Sequence, residues 1–506
     1  MLRWLRCSLG RPGWLLSLSV WVGRRVRCLA ASGDSALWEV PVPIDTTSPR
    51  SPGWWFSKLL GELAARQPRL NRLDCYYRGD PDLPEGAQGC RDSYRRFQAK
   101  ARTNFAQLVV EAVRERMQPA GFRTGAAGDD IQDADAWAIW QANGLDADSA
   151  LVHRAQLAMG DAYVIVGPAD EEGGAPVITP EDPREVVTAH DPIRRRRTVA
   201  ALKAYRDVEQ GRDVAYLYLP GVVLRAGRRP DAAAVGVRLD VGGWEWEGAQ
   251  TTRVPAVPVV RFANRADLAG RSLGEFEDVM DVLDRINFMV LQRLVVAALQ
   301  AFRQRAVSNL PDRDADGNEI DYNGIFSADP GALWQLPEGA EMWESQQVDL
   351  TPILSAVRHD IQDLAAVTRT PLFYLTPDAA NGSAEGASLA REGLVFKTQD
   401  RLLQAGESWE QVMSLAFAFA GDEERARRGD MEVIWSSPER FSLVERYDSA
   451  SKAQAAGVPW RTVMTDVLQF TPQQVTRMEA ERATDVLLAG IQEPAEREPV
   501  SADAAT

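Results

Sequence analysis

The sequence predicts an α+β protein in which two long helices flank a small acidic insert. Three observations support this. First, Phe276, Met280, Leu283, Ile286, Val290, Leu294, Ala298 and Phe302 recur at three- and four-residue steps, the period of a helix with one apolar face. No Pro interrupts Gly270 to Val307 and no Gly falls beyond Gly274, so one helix of roughly 50 Å is expected there. Second, another amphipathic run follows from Asp349 to Thr370. The segment between the two, Ser308 to Val348, is acidic and strand-like, with Arg313 its only basic residue. Third, short β-rich runs fill 162–262, while helical pattern dominates from Ser442 onward. The pattern alone leaves two arrangements open: a stalk carrying a small domain, or two core helices of a large globular domain.

Taken in order, the N-terminal segment has some marks of a secretion signal: Arg3 and Arg6 precede the apolar run Trp14 to Val22. Arg11 and Pro12 sit just before that run, however, Arg24, Arg25 and Arg27 follow it, and it is too short to span a bilayer as a helix. Residues 1–37 therefore read as an extension. Ser51-Pro52 opens a helix over Trp54 to Arg66 with Trp55, Leu59 and Leu63 on one face, and Leu70 to Tyr77 continues to the turn Arg78-Gly79-Asp80-Pro81. A helix is expected from Tyr94 to Met117, ending at Pro119, and another over Asp133 to Asn143 with Gly144 as its stop. Asp148 to Met159 follows, then the strand Ala162 to Val166. Further strands are expected at Val186-Val187, Val199 to Tyr205, Val214 to Leu219 and Val257 to Phe262. The four consecutive arginines Arg194 to Arg197 read as a solvated turn between strands in preference to a phosphate site.

In the insert, Ile320-Asp321-Tyr322, Leu333 to Leu336 and Glu341 to Trp343 read as strands. The second long helix ends before Pro371. A loop of small and turn-forming residues, Thr376 to Ser383, leads into a further helix from Ala384 to about Ala420, with Gly393 and Gly406 inside it as points of weakness or bending. Thr471-Pro472-Gln473-Gln474 combines a capping residue, a first-turn Pro and a Gln three residues on, a helix start. The tail from Glu493 is polar and reads as disordered.

The 506 residues suffice for several modules, and 45% hydrophobic with 25% charged residues is ordinary for a folded soluble chain. A net charge of -15 argues against a generic basic nucleic-acid binder. It is compatible with a protein that DNA passes through, because an acidic wall repels the phosphate backbone. The four cysteines, Cys7, Cys28, Cys75 and Cys90, have no CxxC spacing and read as unpaired thiols. His153, His190 and His359 stand apart in sequence and read as packing or surface residues.

Asp312, Asp314 and Asp316, followed by Gly317 and Asn318, match the start of a calcium-binding EF-hand loop, in which oxygen ligands alternate and a Gly makes the sharp turn. The twelfth position should be a bidentate Glu and is Asn323, and the flanking pattern is strand rather than helix. An acidic hairpin turn is preferred to a metal site. The chain has no P-loop, GxSxG elbow, HExxH or dinucleotide fingerprint, so no cofactor and no catalytic residue is assigned.

The order of these parts resembles the portal proteins of tailed bacteriophages of the siphovirus type. The similar stretches are Pro52-Gly53-Trp54-Trp55, Leu73-Asp74-Cys75-Tyr76-Tyr77-Arg78-Gly79, Gly160-Asp161-Ala162-Tyr163-Val164, Asp316-Gly317-Asn318, Leu333-Trp334-Gln335-Leu336-Pro337, Thr368-Arg369-Thr370-Pro371 with Leu375, and Ser388 to Lys397. Each is short; their order and spacing make the match specific from Leu37 to Gly490, and residues 1–37 lie outside it.

The resemblance implies a portal-type architecture: a mixed α/β wing over 38–269, a stem helix over 270–307, a small α/β clip over 308–348 and a second stem helix over 349–375. A tunnel loop over 376–386, a wing helix over 387–430, a helical crown over 431–490 and a disordered tail over 491–506 complete it. It implies a homo-oligomeric ring, usually a dodecamer, at one capsid vertex of a virion assembled in the host cytoplasm. The ring would be the conduit for double-stranded DNA in packaging and ejection. Its implied partners are the terminase large subunit, a head-completion or connector protein, and the major capsid and scaffold proteins, with no membrane. Thr376, Asp378, Ala379, Ala380, Asn381, Gly382, Ser383, Ala384 and Glu385 would face DNA in the tunnel loop. Arg293, Arg303 and Arg305 lie on the polar side of the stem helix and face either the channel or solvent and neighbouring subunits. The competing reading is an acidic calcium-binding protein or a hydrolase built around 308–348.

Overall fold

The computed structural model describes residues 28–30, 35–84, 92–125, 133–229, 236–301, 305–313, 317, 319–320, 322, 336, 339–344, 346, 348–376, 384–427, 429, 431–439 and 443–492. In chain order the first half contains β1 (Cys28–Ala30), β2 (Ser35–Pro43), α1 (Pro52–Tyr77), α2 (Asp92–Ala101), α3 (Phe105–Arg114), β3 (Pro119–Thr124), α4 (Ala134–Ala142), α5 (Leu145–Met159), β4 (Asp161–Gly167), β5 (Val177–Glu181), β6 (Val186–His190), β7 (Thr198–Asp207), β8 (Arg212–Leu219), β9 (Val222–Arg228), β10 (Glu245–Thr251) and β11 (Val259–Ala263). The second half contains α6 (Met280–Ala301), β12 (Arg305–Ser308), β13 (Glu341–Glu344), α7 (Thr351–Thr368), α8 (Leu372–Leu375), α9 (Ala384–Ala420), β14 (Met431–Trp435), α10 (Leu443–Ala455), α11 (Trp460–Thr462) and α12 (Pro472–Gln492). The expected mixture of helix and strand is present.

Seven antiparallel strands form the largest sheet, in the order β1-β2-β10-β9-β8-β7-β6. One face of it is covered by α1. Ser51 caps that helix, its Oγ accepting from the Trp54 amide at 3.2 Å, with Pro52 in the first turn. The sequence suggests an interruption between Arg66 and Leu70, but α1 runs through it with Pro68 inside. Tertiary burial of Leu70, Leu73 and Tyr76 outweighs the lost backbone bond. Phe56, Leu59, Leu60 and Leu63 pack on Ala200, Ala204, Ala215 and Ala226, whose small side chains let the helix come close. Phe56 meets Trp244 and Trp246 edge-on, with centroids 5.6 and 5.4 Å away.

The extension expected over 1–37 needs correction at its end. Residues 28–30 and 35–37 are strand, and Ser35, Ala36 and Leu37 lie opposite Gln250, Ala249 and Gly248 of β10. A bulge between Trp246 and Gly248 lets β10 keep register with both β2 and β9. Residues 1–27 lie outside the described residues. The single helix expected over 94–117 is two helices, α2 and α3. Thr103 donates from its amide and its hydroxyl to Asn287 Oδ1, each at 2.8 Å, and this long-range contact interrupts the helix. Asn104 then caps α3, accepting from the Gln107 amide at 3.4 Å.

Two smaller sheets, β11-β4-β5 and β14-β3, sit against α5 and α9. The pairing of β14 with β3, Val433 opposite Phe122, places 431–435 in the α/β body and not with the helical last third. At the centre of this body Trp409 lies 4.8 Å from Trp140 and 4.7 Å from Phe262. His153 is fully buried beside them, and its Nε2 accepts from Trp409 Nε1 at 2.9 Å. Burial pushes its pKa down to about 3, so it is a neutral packing residue. His359 is exposed beside Gln362, and Cys75 is a free, exposed thiol. The predicted start of α12 forms as a reciprocal cap: the Thr471 amide donates to Gln474 Oε1 at 2.9 Å, and the Gln474 amide donates to Thr471 Oγ1 at 3.4 Å.

Candidate functional site

The two long helices, α6 and α7, pack against each other as a hairpin whose free end carries the β12–β13 ribbon. α6 is shorter than the sequence predicts: it spans Met280–Ala301, about 33 Å, after a 3₁₀ turn at Glu277–Val279. Both ends have a physical cause. Before the helix, Glu277 accepts from the Gly274 amide at 2.9 Å and from Arg69 at 2.6 Å, fixing a turn. Gly274 is required there, because a Cβ would lie 2.5 Å from the Ala158 carbonyl oxygen. Beyond the helix, Arg305 to Ser308 extend to pair with Glu344 to Glu341.

The halves of α6 differ. From Met280 to Leu291 its apolar side is buried, with Ile286 and Leu291 at 0% exposure. Polar groups here are paired as well. Tyr76 Oη donates to Asp284 at 2.6 Å, and burial followed by that bond raises the phenol to about 12. Arg285 bonds Asp360 of α7 at 2.8 Å and Asp363 at 3.3 Å. From Gln292 onward no described side chain of α6 is fully buried: Leu294, Val295, Val296 and Ala298 are half-buried and Ala297 is exposed. The facing part of α7 matches. Val357, Ile361, Leu364, Ala365 and Thr368 are buried, but the first turns are open and Leu354 is 40% exposed.

At the body end, both helices of the hairpin meet α9 through a buried ionic junction. Glu275, just before α6, lies 2.7 Å from Lys397 and 2.6 Å from Arg401, both on α9. Asn264 donates to Glu275 at 3.0 Å, and Lys397 Nζ donates to the carbonyl of Thr368, the last residue of α7, at 2.9 Å. Burial alone would raise the Glu275 carboxyl; Lys397 and Arg401 overcome it and hold the pKa down to about 2. Lys397 shifts downward because burial prevails over its one anionic partner, with Arg401 and Arg265 adding repulsion. The junction extends along one stripe of α9: Gln404 accepts from the Arg265 amide at 3.1 Å and Ser408 donates to the Arg261 carbonyl at 3.2 Å. Glu275, Lys397 and Arg401 were not legible as a site, since each reads in sequence as an ordinary charge among apolar neighbours.

Of the loop residues, Thr376 is half-buried and donates its hydroxyl to the Leu372 carbonyl at 3.2 Å. Asp378, Ala379, Ala380, Asn381, Gly382 and Ser383 lie outside the described residues, and Ala384 and Glu385 are the first residues of α9. Arg293 is half-buried in the distal half of α6, Arg303 lies outside the described residues, and Arg305 is in β12, not in a helix. Asp312 is exposed, and its carbonyl accepts from the Ile320 amide at 3.2 Å beside an antiparallel bridge of Arg313 with Glu319, as in a hairpin turn. Asp314 and Asp316 lie outside the described residues, and among the described residues no cluster of His, Cys, Asp or Glu could hold a metal. No helix among them is long and apolar enough to cross a membrane.

A family model described as phage portal protein, SPP1 Gp6-like, matches residues 57–486. The portal protein of Mycobacterium phage L5 is 26% identical over 381 residues, covering 71% of this chain and 74% of that protein. The portal protein of Mycobacterium phage D29 is 26% identical over 374 residues, covering 71% and 73%. A chain from the neck of an empty gene transfer agent particle overlaps 77% of this chain and 96% of its own length, with 13% identity and a TM-score of 0.42.

Proposed function

This chain belongs to the phage portal protein family, SPP1 Gp6-like, and from that premise we propose that it assembles into a homo-oligomeric ring, a dodecamer, at one vertex of a capsid. The ring is the conduit through which double-stranded DNA is packaged and ejected. In this reading the α6–α7 hairpin is the stem and the β12–β13 end is the clip, where the terminase large subunit docks and later the head-completion protein. The α/β body is the wing, widened by β1, β2 and β14, and 443–490 is the crown. The segment from Thr376 to Glu385 faces DNA, and the major capsid and scaffold proteins surround the ring. The chain contributes no chemistry of its own; ATP hydrolysis belongs to the terminase, consistent with a sequence that lacks a P-loop.

The observation that carries this reading is the unfinished burial of the distal hairpin. Leu294-Val295-Val296-Ala297-Ala298 is apolar on every side of α6, a pattern that requires cover all round. Within one subunit α7 and α2 pack on α6, yet its described side chains from Gln292 onward stay half-buried or exposed. Identical neighbours placed around an axis cover the remainder by a head-to-tail contact, which closes as a ring. The chain's net charge of -15 keeps nonspecific phosphate binding low, as passage of DNA demands.

The test is negative-stain imaging of the purified protein together with its native mass. A ring with a central hole and the mass of a dozen subunits is expected. A compact monomer that stays monomeric with scaffold and capsid proteins present would refute the ring.

A further inference from the structure

Among the described residues, the three most exposed large apolar side chains are Ile193, Leu268 and Val208, at 90%, 86% and 84%. They fall at the two ends of β7. Ile193 lies in the turn that enters the strand, and Leu268 stands beside that turn, because Arg195 donates to the Leu268 carbonyl. Arg196 of the same turn is ion-paired with Glu407 of α9, and Leu403, one turn before Glu407, is also exposed. Val208 is at the opposite end, on the tip of the β7–β8 hairpin. The ten residues of β7 hold the two places about 33 Å apart.

The two ends carry opposite charge. At the entering turn, Arg194 and Arg197 are exposed and have no side-chain hydrogen bond or salt bridge among the described residues. The acid beside them, Asp191, accepts from the Ile193 and Arg194 amides at 2.8 and 3.1 Å, which fixes the turn. At the hairpin tip, Asp207 and Glu209 flank Val208. Asp207 accepts from the Gln210 amide at 2.9 Å, and Glu209 is exposed with no side-chain hydrogen bond or salt bridge among the described residues. The nearest bases, Arg206 and Arg212, are committed to Asp213 and Glu247. Both ends are therefore ordered before any partner arrives, which lowers the entropy cost of a contact.

Each end presents what the other lacks: an apolar residue between carboxylates, and an apolar pair beside free guanidiniums. Within one subunit the length of β7 keeps them apart. DNA would answer the arginines alone and leave the apolar side chains in water. A second copy of this chain answers both, and repeating the contact around an axis is the head-to-tail pattern of a ring.

We propose that the two ends of β7 are the halves of one contact between neighbouring subunits: the hairpin tip of one copy seats Val208 against Ile193 and Leu268 of the next, with Glu209 facing Arg194 and Arg197. The contact rests on the ring proposed above and names the residues through which the bodies of adjacent subunits meet.

Benzoylphenylalanine in place of Val208, in full chain mixed from heavy- and light-isotope preparations, tests it directly. Irradiation should link the tip to residues 191–197 or 266–270 of another copy and give a ladder extending beyond two subunits. Rings that form without this link overturn the contact and leave the ring standing. The link in open chains that never close leaves the contact standing and overturns the ring. A ladder that stops at two copies, or links confined to one subunit, overturns the head-to-tail contact, and absence of both ring and link overturns both. Charge reversal is the second measurement. Both sites are exposed, so E209R and R194E should keep the parent's thermal midpoint, yet each should raise the concentration for half-assembly by about ten-fold, because like charges then face each other. R194E/E209R places opposite charges at every contact again and should recover most of that loss. Single variants that assemble as the parent does, or a double variant no better than the single ones, overturn the proposal.

Discussion

The two halves of α6 have similar hydrophobicity and opposite situations. From Met280 to Leu291 the helix is closed over by its own chain, its apolar residues are buried, and Asn287 and Asp284 are satisfied by Thr103 and Tyr76. From Gln292 to Ala301 the sequence is at least as apolar, yet its described side chains are at most half-buried and Leu354 of α7 remains 40% exposed. The difference separates two kinds of information in one helix. The proximal half contributes to the stability of the subunit, whereas the distal half leaves an apolar surface whose cover must come from outside.

Substitutions at the proximal end should therefore act on folding. The largest effect is expected from Glu275→Ala, which leaves Lys397 and Arg401 buried without their shared carboxylate and should cost about 3–5 kcal/mol. Urea unfolding measures it, and a midpoint unchanged from the parent would mean that the cations find other partners. Ile286→Ala, at 0% exposure, should cost about 2–5 kcal/mol by the same measurement. In the distal half, Leu354→Asp should change the stability of the isolated subunit by only about 0.5 kcal/mol, yet abolish the ring in native mass measurements. Rings that persist in that variant would remove the distal hairpin from the subunit interface and break the comparison.

How much of this was legible varies from element to element. α7, α9 and the cap of α12 could be read almost residue by residue, because periodicity, Pro371 and the Thr471–Gln474 cap are local signals. The start of α6 was not: Phe276 continues the apolar period, but Gly274 packs on Ala158 and Glu277 binds Arg69, contacts that no window of neighbouring residues contains. For the same reason the break before α3, set by Asn287, and the pairing of β14 with β3 across the chain were missed. Strands β9 and β10 lack strict alternation, and the bulge at Trp246 explains part of that. At the candidate site, sequence order pointed to the hairpin and the loop that follows it. The Glu275–Lys397–Arg401 junction depends on residues distant in sequence and needed the fold.

Acid titration sharpens the contrast, because the strongly shifted acid-range groups, His153, Glu275 and His190, all belong to the body; burial lowers His190 from 6.5 to about 4. His153 has its pKa lowered from 6.5 to about 3, so the folded state binds fewer protons than the unfolded one between those values. Its contribution is complete above pH 6.5 and is lost as pH falls toward 3. Glu275, lowered from 4.5 to about 2 despite burial, gives a contribution complete above pH 4.5 and lost as pH falls toward 2. Stability should fall in two overlapping windows on acidification, below pH 6.5 with His153 and His190 and below pH 4.5 with Glu275, and His153→Gln should reduce the slope of the first. An unchanged slope between pH 6.5 and 4.5 in that variant would assign the loss to other groups.

The smallest effect concerns α9, which joins the two regimes: its body end is fixed by the ionic junction and its start follows the segment proposed to face DNA. Alanine at Gly393 would meet nothing nearer than Arg369 Cβ at 4.0 Å, and at Gly406 nothing nearer than Trp435 Nε1 at 3.4 Å, both ordinary contacts. Neither glycine is needed for space, and each weakens the helix by about 1 kcal/mol relative to alanine. G393A/G406A should therefore raise the thermal midpoint and leave the ring intact while impairing DNA packaging, if the two positions serve as bending points when subunits adjust to DNA of mismatched symmetry. A stabilised ring that packages normally would leave the glycines without a mechanical role. A destabilised one would mean that α9 bends at these positions in the assembled ring, closing space that is open in the single subunit.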